Sequence, residues 1–197
     1  MARRRGKSLD RQRVVEAAIA CVEAEGPEAL GVSRVARELG IKPPSLYNHI
    51  GKGDALARAV VVEANRRLLV VLEDAVRCVV DPREQVRVIA GSIRRWAREN
   101  PGLYAVTARV TPDNEHPEFA PILQEMLELI GRPLTQLGVT GDDTIHAIRG
   151  LRAAMHGFLL LENSGQFALA EDSAESFEWL IEAILRGLEP GAVGPGD

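Results

Sequence analysis

Apolar residues recur at helical spacing from the start of the chain. The first apolar face consists of Val14, Val15, Ala18, Ile19 and Val22. Asp10 is placed to cap this helix, and Gly26-Pro27 ends it. A second, short helix ends at Gly40, because glycine adopts a left-handed turn at little cost. Pro43-Pro44 opens a third helix, which the pattern continues to Ile50.

The same spacing continues through the rest of the chain. Asp54 is placed to cap a long fourth helix. Turn residues such as Asp81-Pro82 and Asn100-Pro101-Gly102 separate the segments that follow. These segments predict helices near residues 83–99, 102–110, 117–136, 142–163 and 172–188. No strand-like alternation interrupts them, so we expect an all-α fold of about nine helices.

Charge is distributed unevenly along the 197 residues, although the net charge is only −4. Residues 1–54 carry ten Lys or Arg against seven Asp or Glu, a net charge of +3, and the remainder carries −7. The N-terminal segment is therefore a basic head on an acidic body, and a polyanion would be expected to bind at this head. No apolar run approaches the roughly 18 residues of a membrane span, so we expect no membrane partner and a cytoplasmic location.

The segment from Leu30 to Ile50 has the layout of a helix-turn-helix. A short helix, a glycine-containing turn and a second helix follow one another, and polar groups stand near the start of the second helix. Such a second helix fits the major groove, whose floor displays a distinct hydrogen-bonding pattern for each base pair. Lys42, Ser45 and Asn48 are placed to face that floor.

The string from Ala36 to Ile50, ARELGIKPPSLYNHI, closely resembles the signature of the tetracycline-repressor (TetR) family. Its small hydroxyl residue, Leu-Tyr pair and His stand in the family's order after a Leu-Gly turn, and the resemblance extends over about residues 10–60. It implies that Tyr47 and His49 bind DNA phosphates, while the residues at or beside base edges are Lys42, Pro43, Pro44, Ser45 and Asn48. The alternatives are that Tyr47 is a core aromatic residue and that His49 donates a capping hydrogen bond to a carbonyl inside the domain.

Two positions depart from the family's pattern. Gly31 stands where relatives commonly have Thr or Ser, and Gly53 where they usually have a phosphate-binding Lys. Lys52, one residue earlier, is the candidate replacement, and Arg34 is a further candidate contact if it points outward. A basic arm with Arg3, Arg4, Arg5 and Lys7 either follows the minor groove or only improves solubility.

The C-terminal half is similar to the subgroup of this family that carries a Trp-His-Gly element, with Met155-His156-Gly157 in its place. This similarity implies that the last two long helices form a homodimer. We expect their apolar stripes to supply the interface: Ala147, Ile148, Leu151, Ala154, Met155 and Phe158, and Phe177, Leu180, Ile181, Ile184 and Leu188. A two-fold dimer matches a palindromic operator in double-stranded DNA.

A small-molecule effector is expected to bind among the middle helices. The candidate lining residues are Trp96, Leu103, Tyr104, Arg109, Phe119, Met126, His146, Met155 and His156, although ordinary core packing explains their spacing equally well. The expected division is a basic flexible arm at 1–9, a DNA-binding domain at 10–55, a ligand-binding and dimerisation domain at 56–189 and a disordered tail at 190–197.

The sequence predicts a ligand-responsive transcriptional regulator, with repression as the expected output. We find no nucleophile-and-base pair, no catalytic residues and no set of ligands with metal spacing, so neither an enzyme, a metal nor a cofactor is expected. The alternatives are a non-specific DNA-binding protein or, less favoured, a helical enzyme. Non-specific binding would call for a more basic head than +3.

Overall fold

The computed structural model describes residues 9–110 and 115–188. Within these ranges it contains nine α-helices, one 3₁₀ turn at Pro27–Ala29 and no β-strand. The helices are α1 (Arg11–Glu25), α2 (Val32–Glu38), α3 (Pro43–Ile50), α4 (Ala55–Val76), α5 (Pro82–Glu99), α6 (Pro101–Arg109), α7 (Ala120–Gln136), α8 (Asp142–Asn163) and α9 (Ser173–Gly187). The predicted all-α fold is therefore confirmed.

Predicted helix ends agree with the structure where a specific cap marks them. The Asp10 side chain accepts a hydrogen bond of 2.8 Å from the backbone N–H of Arg13, and this caps α1. Asp54 precedes α4, and its carbonyl accepts from the N–H of Arg58. The basic arm, apart from residue 9, and the tail from residue 190 lie outside the described residues.

The described residues form two compact units. The first comprises those of Met1–Asn65 and Asn100–Pro112, so it contains α1 to α3, the first half of α4, and α6. In this unit α1 packs against α2, α3 and α6. Its fully buried core includes Val14, Val22, Val35, Leu46, Val60 and Leu103. Helix α6 thus packs with the N-terminal helices although it follows α5 in the chain.

Helix α6 is held against α1 through backbone contacts. The backbone N–H groups of Gly102 and Leu103, in the first turn of α6, donate to the Glu23 carboxylate at 3.3 and 2.9 Å. Glu23 therefore caps α6 from another helix, since Asn100 makes no side-chain cap there. A Cβ on Gly102 would lie 2.3 Å from the carbonyl oxygen of Val22. Only glycine permits this approach.

The second unit comprises the described residues of Arg66–Glu99 and Asp113–Asp197. Helix α5 packs there against α7, α8 and α9. Its buried core includes Leu72, Ile89, Leu134, Leu151, Leu159 and Leu185. A half-buried ion pair joins α5 to α8: the Arg94 guanidinium donates to the Glu162 carboxylate at 2.5 and 3.0 Å. No helix among the described residues is long and apolar enough to cross a membrane.

Candidate nucleic-acid interface

The turn between α2 and α3 has a specific geometry. Gly40 has a φ of +67°, in the left-handed region that favours glycine. The N–H of Ile41 donates to the carbonyl of Ala36 at 2.9 Å, and the N–H of Gly40 donates to that of Arg37 at 3.1 Å. These two bonds form a Schellman motif, which closes α2 and directs the chain into α3.

One side of α3 anchors it and the other side is open. Leu46 and Ile50, four residues apart, are buried against the first unit's core. The sequence-predicted DNA contacts on α3 and at its cap remain accessible: Lys42, Pro44, Tyr47 and Asn48 are exposed, while Pro43, Ser45 and His49 are half-buried. The structure therefore brings these seven residues together on one short helix and its N-terminal cap.

The start of α3 explains why Lys42 is accessible. Lys42 is the N-cap residue, in an extended conformation with φ −83° and ψ 143°. A residue before proline is restricted to this region, and Pro43 and Pro44 lose no helical hydrogen bond in the first turn. The proline pair thus places an exposed lysine at the end of the helix that also carries Tyr47 and Asn48.

Lys52 lies in the loop between α3 and α4. Gly51 and Gly53 flank it with φ values of +92° and +61°, which L-residues rarely adopt, and the Lys52 side chain is exposed. A lysine at position 53 would therefore have to adopt a strained backbone. The displacement of the lysine by one residue follows from this loop, and its contact with DNA stays a prediction.

Arg34, in contrast, is engaged within the first unit. Its Nε donates to both carboxylate oxygens of Glu25 at 2.9 and 3.1 Å, and its Nη1 donates to Glu38 at 2.9 Å. These hydrogen bonds raise the pKa of Arg34, Glu25 contributing most. The Arg34 guanidinium, in the first turn of α2, thus connects Glu25 at the end of α1 with Glu38 at the end of α2. Sequence reasoning missed Glu25 and Glu38, and a DNA contact by Arg34 remains untested.

The nine candidate effector-binding residues are divided between the two units. Leu103, Tyr104 and Arg109 belong to the first unit, and the other six belong to the second. The buried members are Trp96, Leu103, Tyr104, Phe119 and Met155, whereas Met126 and His156 are half-buried and His146 and Arg109 are exposed. Arg109 forms an ion pair with Glu28. Desolvation by burial, and secondarily Arg152, lowers the pKa of His156.

Five of the eleven residues in the apolar stripes that the sequence assigned to a dimer interface are buried inside the second unit. On α8, Ile148, Leu151 and Met155 are buried, as are Phe177 and Ile181 on α9. The other six stripe residues are half-buried, because apolar periodicity marks a buried face without naming what covers it. Other apolar side chains of this region are exposed instead: Ile145, Leu160, Leu161, Phe167, Leu169 and Trp179.

Among the described residues, no group of three or more His, Cys, Asp or Glu is arranged to hold a metal ion. The structure places no candidate cofactor site on α3. What it does present there is a helix-turn-helix, with a well-anchored second helix whose accessible face carries hydrogen-bond donors, an amide and prolines. Such a face defines the class of helix-turn-helix DNA-binding proteins.

Comparison with known proteins identifies the family. Residues 14–60 match the family model of bacterial regulatory proteins of the tetR family, and residues 86–184 match that of the tetracyclin repressor-like C-terminal domain. The protein belongs to the tetR family of bacterial regulatory proteins and is a DNA-binding transcriptional regulator. The more specific resemblance to the Trp-His-Gly subgroup stays a prediction.

The chain is similar to an uncharacterised HTH-type transcriptional regulator of Mycobacterium tuberculosis, with 30% identity over 161 residues, 82% of this chain and 73% of the relative. Its fold resembles ActR of Streptomyces coelicolor in complex with (S)-DNPA, with a TM-score of 0.72, 22% identity and coverage of 93% and 98% of the two chains. It also resembles BioQ bound to its double-stranded DNA operator, with a TM-score of 0.69, 22% identity and coverage of 95% and 100%.

Proposed function

We propose that this regulator represses transcription by binding a palindromic operator and is released from it by a small molecule. The observation that carries the proposal is the accessible face of α3, which Leu46 and Ile50 anchor to the first unit. A rigidly anchored helix can hold a fixed register in the major groove, and register is what sequence-specific binding needs.

The contacts divide by chemistry into two sets. Tyr47, His49 and Lys52 carry O–H or N–H donors suited to phosphate oxygens, which fix the position of the helix without reading sequence. Asn48 can pair with adenine in the major groove, and Lys42 with guanine. Ser45 is suited to hydrogen bonds with base edges, while Pro43 and Pro44 offer apolar contact to a thymine methyl group. The phosphate contacts therefore determine affinity, and the base contacts determine specificity.

The operator is palindromic in this proposal because the protein acts as a homodimer through α8 and α9. Exposed apolar side chains in this region support the dimer: Ile145, Leu160 and Leu161 on α8, and Trp179 on α9, which is 67% exposed. Exposed apolar side chains of this kind would be removed from water in such an interface. A two-fold axis there presents two copies of α3 to two half-sites.

The effector acts by binding the conformation that does not fit DNA. A ligand with equal affinity for both conformations would release nothing, so the effector must prefer the released one. The solved structures of BioQ with its operator and of ActR with (S)-DNPA support this scheme, because proteins of the same fold bind operator DNA in one case and a small molecule in the other. The protein needs no catalytic step for this role, and we place it in the cytoplasm, beside the DNA.

Fluorescence anisotropy tests the proposal directly. The purified protein is titrated onto a duplex carrying the region upstream of its own gene, and onto a scrambled duplex, over a salt series. Tyr47→Phe/His49→Ala should weaken binding to both duplexes, because both lost contacts are to phosphates. Asn48→Ala should reduce the preference for the upstream duplex by about 1–3 kcal/mol, the usual value of a base contact.

Gln124→Ala is the matched control for Asn48→Ala, because it removes an exposed amide from α7 in the second unit. It should leave both affinities unchanged. Equal, weak binding of the wild-type protein to both duplexes would contradict an operator upstream of the gene. Unchanged preference in Asn48→Ala would remove α3 as the reader of that sequence.

A further inference from the structure

A solvent-open cavity of about 840 Å³ lies in the second unit between α5 and α9, and Gly91, Arg95 and Arg98 are on its exposed side. Its volume falls within the roughly 300–1,000 Å³ of small-molecule sites. One face of each helix lines it: Glu84, Arg87, Val88, Gly91, Arg94, Arg95, Arg98 and Glu99 on α5, and Phe177, Glu178, Ile181 and Glu182 on α9. None of the nine residues that the sequence proposed for the effector lines this cavity.

The middle of the cavity is open because α5 has a glycine there. Gly91 is exposed, and a Cβ built on it would meet nothing within 4 Å. Val88, Phe177 and Ile181 supply apolar wall around this opening. A larger side chain at position 91 would project into this opening.

Two of the four arginines that line the cavity, all on α5, form hydrogen bonds with residues of α9. Arg87 forms ion pairs with Glu84 of its own helix and Glu182 of α9. Arg94 donates to Glu162 of α8 and to the Ser173 hydroxyl at the start of α9, and its guanidinium carbon lies 5.4 Å from the centre of the Phe177 ring. Both guanidiniums therefore already have charged partners from the protein.

In the part of the chain that the structure describes, the other two arginines donate to no carboxylate, although the charge of Arg98 helps to lower the pKa of Glu162. Within the described residues, the Arg95 guanidinium has only the neutral hydroxyl of Ser92 at 3.3 Å, and Arg98 makes no hydrogen bond or ion pair. They stand three residues apart, which places them side by side on one helical face. Two adjacent guanidiniums beside an apolar wall are suited to a carboxylate, which accepts several N–H groups at once.

The remaining charges limit the ligand's own charge. The lining contains four arginines and four glutamates, and Glu99 and Glu178 make no ion pair within the described residues. A phosphate chain or other polyanion would be repelled by these two carboxylates. A single negative charge can contact Arg95 and Arg98 and still leave its apolar part against Val88 and Ile181.

We propose that the cavity between α5 and α9 binds an organic monocarboxylate with a compact apolar body, its carboxylate on Arg95 and Arg98 and its body over Gly91. This inference rests on the proposed function, because it names the chemical class and the site of the effector. The cavity lies within residues 86–184 of the matched C-terminal domain, apart from Glu84 at its edge.

Isothermal titration calorimetry without DNA tests the site, with naphthalene-2-carboxylate as the probe and uncharged 2-naphthamide as its neutral match. The wild-type protein should bind the carboxylate at millimolar concentration or below, and the amide more weakly. Arg95→Ala/Arg98→Ala should weaken carboxylate binding by about tenfold or more, the usual effect of losing hydrogen bonds to a charged group. Gly91→Leu should weaken binding of both compounds, because the new side chain would project into the opening where the apolar body is placed.

Arg77→Ala/Arg132→Ala is the control, because it removes two arginines from a different cavity of the same unit. It should bind the carboxylate like the wild-type protein, and circular dichroism melting verifies that every variant is folded. Absence of wild-type binding overturns the proposal, as does equal binding by the Arg95/Arg98 variant. Binding at this site without release of operator DNA in the anisotropy assay would uphold the site and refute the effector role.

Discussion

Replacing Gly102 by alanine should destabilise the protein, because two helix backbones meet at this residue. The new Cβ would stand 2.3 Å from the carbonyl oxygen of Val22 and 2.8 Å from its carbonyl carbon. Non-bonded Cβ contacts essentially never fall below 3.0 Å, so α1 and α6 must separate by roughly 0.7 Å in a close-packed interior. Neither backbone can turn aside as a flexible side chain would.

The separation carries two costs. Overpacking of this kind costs about 1–3 kcal/mol. It also stretches the hydrogen bonds from Gly102 and Leu103 to the Glu23 carboxylate, now 3.3 and 2.9 Å long. Loss of one hydrogen bond to a charged group costs about 1.5–3 kcal/mol. Together these terms predict a loss of roughly 2.5–6 kcal/mol and a melting temperature lower by roughly 5–25 °C.

Thermal unfolding followed by circular dichroism measures this effect, with Gly91→Ala as the matched control. Gly91 is also inside a helix, but nothing lies within 4 Å of the position that a Cβ would take there. The control should therefore gain about 0.5–1 kcal/mol from the better helix propensity of alanine. A Gly102→Ala protein that melts at or above the wild-type temperature would refute the close approach of α1 and α6.

The ion pairs and the exposed tryptophan lead to three further predictions. Arg34→Ala should leave the slope of log affinity against log salt unchanged, whereas Lys52→Ala should reduce it by about 0.9 per protomer, or about 1.8 for the dimer. An equal reduction in both variants would show that Arg34 binds phosphate. Arg94 holds the pKa of the Glu162 carboxyl below its usual value of 4.5, so the pair stabilises the fold above that pH and is lost as pH falls through the lowered pKa. The melting-temperature difference between wild type and Glu162→Gln should therefore shrink below about pH 4.5, and a difference that stays constant would contradict this. Dilution should shift Trp179 emission to longer wavelength as dimers dissociate, and Trp179→Phe should abolish the shift; concentration-independent emission would oppose a dimer through α9.

Local chemistry explains why the sequence predicted the helices and the DNA-reading unit. Asp10, Gly40 and Pro43 act on their own turn of chain, through a side-chain cap, a left-handed φ and a fixed φ respectively. The positions of Leu46 and Ile50 follow from the helical period alone. A motif of about fifteen residues is short enough for such rules to determine which side chains share a face.

The contacts that join distant segments needed the tertiary structure. Glu23 and Gly102 are separated by 79 positions, and Arg94 and Glu162 by 68, so no local rule pairs them. In the sequence Gly102 only indicates a turn after Pro101, and the structure reveals that it permits backbone contact with α1.

The sequence by itself determined that α8 has an apolar face, and only the tertiary structure decided that α5, α7 and α9 cover Ile148, Leu151 and Met155 within the second unit. It likewise determined that Arg34 stands on α2, while folding placed Glu25 and Glu38 around it. The physical reason is the same in both cases. Periodicity and charge specify what a side chain requires, but the partner that meets this requirement depends on how whole helices pack.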